Sequence, residues 1–368
     1  MVTGSRTSRS ERAPNARRGA VVRGMRAAGG AFRIEFDART AYDFLVTLHI
    51  DQIEEMDLQA EDRRWLTDAR ESLSADRRRD LEELFGDGPT AYASGIGAMV
   101  VALPKASTAR EFVAALAVTD TRTIVREMLG EVIRDAEAAA QLERILDGAT
   151  DEIAAFAART GEYHCAAAET LLAAPGAAID RIRGLFGEWL SRYEEVEPRV
   201  DQIIRRDLAL RQADRDLPPV ELVERTTGGV RWLGEPGVDR VILAPSYFSR
   251  PVNYLFSGID WRLFAYPVAD ESVESSDGSA PPSSMIRLYR ALGDESRLRI
   301  LRLLRDKDMY LTELAQALEV SKPTMKHHLT QLRVAGLVTV TDLGAQTYYS
   351  LRRDRLAEAG DDLMRFLA

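Results

Sequence analysis

Cysteine is almost absent: Cys165 stands alone in 368 residues. One thiol forms no intramolecular disulfide and no thiolate cluster for zinc or another soft metal. Histidine is nearly as scarce. His49, His164, His327 and His328 are too few and too scattered for an obvious metal site. No apolar run approaches the ~18 residues needed to span a bilayer, so no membrane partner is expected. No Gly-x-Ser-x-Gly elbow surrounds Ser246, as a hydrolase nucleophile of that kind needs. Gly95 and Gly97 follow no strand, so they read as helix packing rather than a nucleotide fingerprint. His164 and Cys165 are neighbours, and adjacent helical side chains point about 100° apart. That is poor geometry for a nucleophile and its base, and the thiol reads as buried. No catalytic residue, metal ligand or cofactor site is assigned.

What is present suits a globular protein. The hydrophobic fraction is 45% and the charged fraction 29%, ordinary values for a chain with a packed core. At roughly 100–200 residues per domain, two or three domains are expected. Charge is spread unevenly under a net −9. Residues 1–30 carry seven Arg and one Glu, residues 31–282 carry 28 basic and 46 acidic side chains, and residues 283–368 carry 14 basic and 11 acidic. A polyanion is therefore met by the C-terminal part.

Residues 1–30 are rich in Arg, Ser and Gly and hold no apolar core of a secretory signal. They read as a disordered basic tail, with Met25 as an alternative start. Residues 31–268 form a mainly helical regulatory or dimerisation domain that ends in a small β region. Within it, Phe44, Leu45 and Leu48 recur at helical spacing, and Thr108 with Glu111 resembles a capping box. Over residues 177–192, Ile179, Ile182, Leu185, Phe186, Trp189 and Leu190 fall on one helical face. Another helix is expected over 200–213. The segments 230–232, 241–244 and 261–266 read as three short strands of one small sheet. The aromatic group Tyr247, Phe248, Tyr254, Phe256, Trp261, Phe264 and Tyr266 reads as core, with a pocket lining as the alternative. Residues 269–284, ADESVESSDGSAPPSS, have the composition of a linker.

The remaining residues, 285–368, alternate elements in a recognisable order. A helix over 285–292 ends at Gly293, and Asp294 or Ser296 caps the next. Thr312 is expected to cap a short helix over 312–318, and Glu319 and Val320 make a turn. Ser321 caps a helix with Pro323 in its first turn, where a missing N–H costs little. That helix stops at Gly336, a suitable C′ residue. Strands over 338–341 and 346–351 follow. This is the order of a winged helix-turn-helix. The expected fold class is thus mainly α with small β elements: an N-terminal helical domain with a small sheet, then a C-terminal winged helix-turn-helix.

On a helical wheel Met325, Leu329 and Leu332 share the core side. Lys326, His327, Thr330 and Gln331 face away, flanked by Thr324, and Lys322 stands at the N-terminal end. Such side chains donate to phosphates or read base edges. The pieces LGDESRLRILRLL, LTELAQALEVSKPTMKHHLTQLRVAGLV and YYSL, in that order, resemble the ArsR family of small winged-helix repressors over about 84 residues. The resemblance implies DNA contacts at Ser321, Lys322, Pro323, Thr324, Lys326, His327 and His328. The wheel turns His328 toward the core side, so it reads as a phosphate or packing residue. The chain departs from the metal-sensing members: residues 309–312 are MYLT with no thiol, and the last helix has Asp354, Glu358, Asp361 and Asp362 but no His. The wing tip at 342–345 lacks Arg.

The function expected is a cytoplasmic, sequence-specific DNA-binding transcriptional regulator, a repressor. It would act on double-stranded DNA as a homodimer, with Leu288, Leu292, Leu356, Leu363, Phe366 and Leu367 as its apolar surface. The N-terminal domain would sense a small-molecule effector or a partner, or support dimerisation. The alternative is an enzyme domain fused to a winged helix. The lack of a paired carboxylate, triad or phosphate motif argues against it.

Overall fold

A computed structural model describes residues 31–49, 56–86, 88–162, 164–273, 281–342 and 347–368. The basic tail, residues 274–280 of the expected linker and residues 343–346 at the wing tip lie outside the described residues. The chain opens with a strand, β1 (Arg33–Phe36), and then runs through helices α1 (Thr40–Leu48), α2 (Ala60–Ser72), α3 (Ala75–Phe85) and α4 (Gly97–Ala102). Next come α5 (Ala109–Val118), α6 (Thr121–Met128), α7 (Ala136–Leu146), α8 (Ile153–Ala157) and α9 (Cys165–Ala173). The long helices α10 (Pro175–Tyr193) and α11 (Glu197–Arg211) precede the two-turn α12 (Pro219–Thr226). Strands β2 (Val230–Arg231), β3 (Arg240–Ser246), β4 (Tyr254–Ser257) and β5 (Trp261–Pro267) follow, then α13 (Asp270–Val273). The C-terminal part is α14 (Ser283–Leu292), α15 (Glu295–Leu304), β6 (Met309–Tyr310), α16 (Leu311–Ala317), α17 (Lys322–Val334), β7 (Val338–Asp342), β8 (Thr347–Leu351) and α18 (Arg353–Leu367).

Local chemistry sets several of these boundaries. Thr108 and Glu111 form the expected capping box at α5. Pro175 and Pro198 occupy the first turns of α10 and α11, where no N–H is needed. The apolar face of α10 is fully buried at Ile179, Ile182, Leu185, Phe186 and Trp189, against Phe44 and Leu45 of α1 and Phe112 of α5. Each such side chain contributes roughly 1.5–3 kcal/mol of burial. The indole N–H of Trp189 donates to Thr47 Oγ1 at 2.8 Å.

The first sheet has the order β1-β3-β5-β4, with β1, β3 and β5 parallel and β4 antiparallel. Both faces are covered. Ile242, Ala244, Leu263 and Ala265 point into the helical core, while Val241, Leu243, Phe264 and Tyr266 meet Leu222 and Val223 of α12. Burial on both faces explains why β3 reads as a continuous apolar run instead of alternating.

Four expectations need correction. The body was read as helical from residue 31, but Arg33–Phe36 is the edge strand of the first sheet. Only four residues alternate there, too few to outweigh the helical pattern around them. Val230–Arg231 does not join that sheet. It pairs in parallel with β7, extending a second sheet of order β2-β7-β8-β6. Chain direction turns at Gly228 (φ +71°) and Gly229 (φ +128°), and a Cβ on Gly229 would sit 2.9 Å from the Val338 carbonyl oxygen. The short helix α16 starts at Leu311, because Glu313 accepts from the Tyr310 N–H at 3.0 Å and Tyr310 holds the cap position instead of Thr312. Cys165 is half-buried, with Sγ 3.9 Å from a Glu169 carboxylate oxygen.

The ends of the 269–284 segment are anchored. Asp270 is buried and ion-paired with Arg250, and it accepts from the Ser284 N–H at 2.7 Å. Burial works against that carboxylate. Arg250, Ser284 and Arg287 outweigh it and hold it below the usual carboxylate range. Asp57 pairs with Arg250 at 3.0 Å and also with Arg287 of α14, so one charge cluster joins the helical body to the first helix of the C-terminal part.

Candidate nucleic-acid interface

The C-terminal residues carry their own core: Leu288, Ile300, Leu301, Leu304, Leu314, Met325, Leu329, Leu332, Leu337 and Val338. Met325, Leu329 and Leu332 anchor α17 in it, at 0%, 1% and 0% exposed, which fixes the helix rotation. The turn before α17 is sharp. Glu319 takes φ +56°, and the Val320 N–H donates to the Ala315 carbonyl at 3.0 Å. Ser321 then caps α17, accepting from the Thr324 N–H at 3.2 Å, with its Oγ 2.8 Å from Thr324 Oγ1. Gly336 (φ +71°) ends it.

With that rotation Ser321, Lys322, Pro323, Thr324, Lys326 and His327 are all exposed on one end and face of α17. Lys322 and Lys326 are two of only four lysines in the chain. Among the described residues neither forms an ion pair. Thr330 and Gln331 are half-buried further along, and Thr330 donates to the Lys326 carbonyl at 2.9 Å. His328 is turned inward. Its side chain is 15% exposed, with Nδ1 3.9 Å from Asp294 Oδ1 at the start of α15. The packing alternative for His328 matches this placement. Asp294 itself is held below the usual carboxylate range, first by the Arg297 N–H it accepts at 2.9 Å.

Behind the helix, β7 and β8 form the two-stranded wing, with register Val338↔Leu351 to Asp342↔Thr347. The helical body grips this wing, a feature the sequence reading missed. Beyond the β2–β7 pairing, Val340 N–H donates to the Gly229 carbonyl at 2.7 Å, Thr339 Oγ1 donates to Glu224 of α12 at 2.9 Å, and Arg352 donates to the Gly228 carbonyl at 3.1 Å. The adjacent glycines Gly228 and Gly229 just before Val230 were the only available signal. Arg333 was also missed. It is half-buried on the C-terminal half of α17, and loss of water lowers its affinity for its proton.

The other candidate side chains are packed within the body. Ser246 is fully buried and its hydroxyl donates to Asp43, while accepting from the Ser249 N–H at 3.1 Å. Gly97 lies against the Phe256 ring and Gly95 against the Met128 backbone. Six of the seven aromatics between 247 and 266 are buried, and Tyr254 is half-buried. Among the described residues no group of three or more His, Cys, Asp or Glu side chains is placed to hold a metal ion. Among them, too, no helix is long and apolar enough to cross a membrane.

Comparison with known proteins bears on this same region. The family described as bacterial regulatory protein, arsR family, matches residues 294–340. The chain is 40% identical over 83 residues to the HTH-type transcriptional regulator CmtR of Mycobacterium tuberculosis, which is 23% of this chain and 70% of that protein. It is 31% identical over 83 residues to the transcriptional repressor SdpR of Bacillus subtilis, again 23% of this chain and 92% of that protein. Over 65 residues it is 37% identical to the arsenic resistance transcriptional regulator ArsR1 of Pseudomonas putida, 17% of this chain and 51% of that protein.

Proposed function

The chain belongs to the arsR family of bacterial regulatory proteins and is a DNA-binding transcriptional regulator; on that premise we propose that it represses transcription by docking the exposed face of α17 in a major groove. The observation that carries this reading is the fixed rotation of α17. Its buried Met325, Leu329 and Leu332 leave Lys322, Thr324, Lys326 and His327 facing solvent. Ser321 and Lys322 lie where backbone phosphates pass, and Lys326 and His327 where base edges do. We assign positioning to His328 and contact to Thr330 and Gln331 at the far end of the groove. The helical body acts as the regulatory part and 285–368 as the DNA-binding part, in a cytoplasmic protein.

The regulator works as a homodimer in this reading. Its dimer surface differs from the one expected, because Leu288 is 0% exposed in the core. Leu367 of α18, one of the expected side chains, is exposed, and Ile286 and Tyr289 of α14 and Met364 of α18 are exposed beside it as added apolar surface. The two helices pack together, with Tyr289 Oη donating to the Ala359 carbonyl at 2.9 Å.

The test is footprinting on genomic DNA, then competition of the protected duplex against a scrambled one. Lys326→Ala and His327→Ala should each lose about 1–3 kcal/mol of discrimination at particular base pairs. Lys322→Ala should weaken binding to all sequences and lower the salt dependence. Unchanged sequence preference in both of the first two variants would sink the assignment.

A further inference from the structure

On its outer face the first sheet packs against Leu222 and Val223 of α12. Beside the N-terminal end of α12 a cavity of about 340 Å³ opens next to the edge strand β1. Ile34, Phe36, Leu217, Pro219 and Leu222 supply its apolar wall, and Arg215 the charged part. That volume lies in the range of roughly 300–1,000 Å³ that small-molecule sites occupy, and an apolar wall with few polar groups is their usual make-up.

Among the described residues Arg215 is a cation without an acidic partner. Its guanidinium lies 5.5 Å from the centre of the Phe36 ring, and among the described residues it makes no ion pair and no side-chain hydrogen bond. Of the two acids flanking it, Asp214 is paired with Arg225 at 3.2 Å, and Asp216 is exposed and makes no ion pair with it. Glu35 of β1 alternates to the other side of the strand from Ile34 and Phe36, where it pairs with Arg33 and Arg240. A guanidinium standing over an apolar cleft complements a planar anion with a hydrocarbon body.

The cleft is also mechanically close to the wing. α12 has eight residues, about 12 Å of helix. One end lines the cavity through Pro219 and Leu222. The other end carries Glu224, which accepts from Thr339 of β7 at 2.9 Å and from Arg231 of β2 at 2.7 Å. The chain then passes Gly228 and Gly229 directly into β2, paired with β7.

We propose that this cleft binds an organic monocarboxylate, its carboxylate on Arg215 and its hydrocarbon against Ile34, Phe36 and Leu217, and that occupancy moves α12 and with it the wing. The regulatory half of this inference rests on the DNA-binding reading; the binding half does not. Octanoate is the probe, titrated calorimetrically into the full chain, with octanol as the uncharged comparator. Saturable octanoate binding is expected, weakened about tenfold or more in Arg215→Gln, as loss of a charge-assisted pair implies, and largely restored in Arg215→Lys. Arg215 is exposed, so these variants are expected to fold. Octanol binding as tightly as octanoate, or Arg215→Gln binding like the wild type, would overturn the site. Octanoate should also change affinity for the footprinted duplex, and Glu224→Gln should keep octanoate binding but lose that response. Binding without any change in duplex affinity would overturn the coupling alone. Octanoate binding by a protein that shows no preference for any duplex would instead refute the DNA-binding reading and leave the site standing.

Discussion

Asp43 lies in the first turn of α1 and His49 caps its C-terminal end, and the fold moves their protonation in opposite senses. Asp43 is fully buried and accepts from Ser246, from the Phe248 N–H at 3.0 Å and from Tyr193 at 3.3 Å. Desolvation outweighs those bonds and pushes its carboxyl up from 3.8 to about 6. His49 has its Nδ1 2.8 Å from the Leu45 carbonyl, and its Nε2 is shut off from solvent beside the edge of Phe85. Desolvation pulls it from 6.5 down to about 4. The signs follow from linkage. For Asp43 the folded state holds the extra proton, so its stabilisation is complete below pH 3.8 and is lost as pH rises through about 6. For His49 the unfolded state holds it, so stability is lost as pH falls from 6.5 toward about 4. The two contributions oppose each other in the same window. Urea unfolding across that window should therefore show stability rising more steeply with pH in Asp43→Asn than in the wild type, and less steeply in His49→Gln. Parallel curves for all three proteins would contradict the placement of these groups.

The elements differ in how much they owe to their own sequence. Helix α17 is specified locally by its Ser321 cap, Pro323, three core side chains at helical spacing and Gly336. Its turn contains one local conflict, Glu319 at φ +56°. A left-handed L-residue costs about 1–2 kcal/mol, and glycine there recovers that less about 0.4–1 kcal/mol of extra unfolded-state entropy. Glu319→Gly should raise stability by about 0.5–1 kcal/mol in thermal unfolding, where Glu319→Val should lower it. The strand β2 is the opposite case. Two residues form no strand alone; partner β7 makes it one. Gly229→Ala places a Cβ against the Val338 carbonyl at a φ of +128°. Hydrogen exchange at Val340, whose N–H is bonded to Gly229, should accelerate markedly in that variant, while exchange within α10 stays unchanged.

At the scale of the whole molecule the two parts are fastened twice. One fastening is the β2–β7 pairing with the Glu224–Thr339 bond, and the other is the Asp57–Arg250–Asp270–Arg287 cluster. The buried pair Arg250–Asp270 lies within the body, where removing one partner strands the other at about 3–5 kcal/mol, and α14 is tied to it by the Ser284 N–H on Asp270 and the half-buried Asp57–Arg287 pair. The outer apolar side chains of α14 and α18 then lie at the surface of a rigid unit. Light scattering is expected to give a dimer at micromolar concentration, and Met364→Glu with Leu367→Glu a monomer whose footprint shrinks to one half-site. A wild-type monomer would remove the two-fold reading.

Helix α17 and its exposed residues were legible in the amino-acid sequence because every contribution to them is local: a cap, a 3.6-residue period and a terminating glycine act within a few residues of one another. The same holds for the capping box at Thr108 and for the apolar face of α10. Tertiary structure decided what depends on distant partners. Arg33–Phe36 became a strand because β3 offered it an edge, and Val230–Arg231 left the first sheet because the wing lies nearer after Gly228 and Gly229. Leu288 turned into the core because α14 packs on α17. The cleft at Arg215 belongs to the same class. It is assembled from residues 34–36 and 215–222, far apart in the chain, and a sequence pattern has no period that joins them.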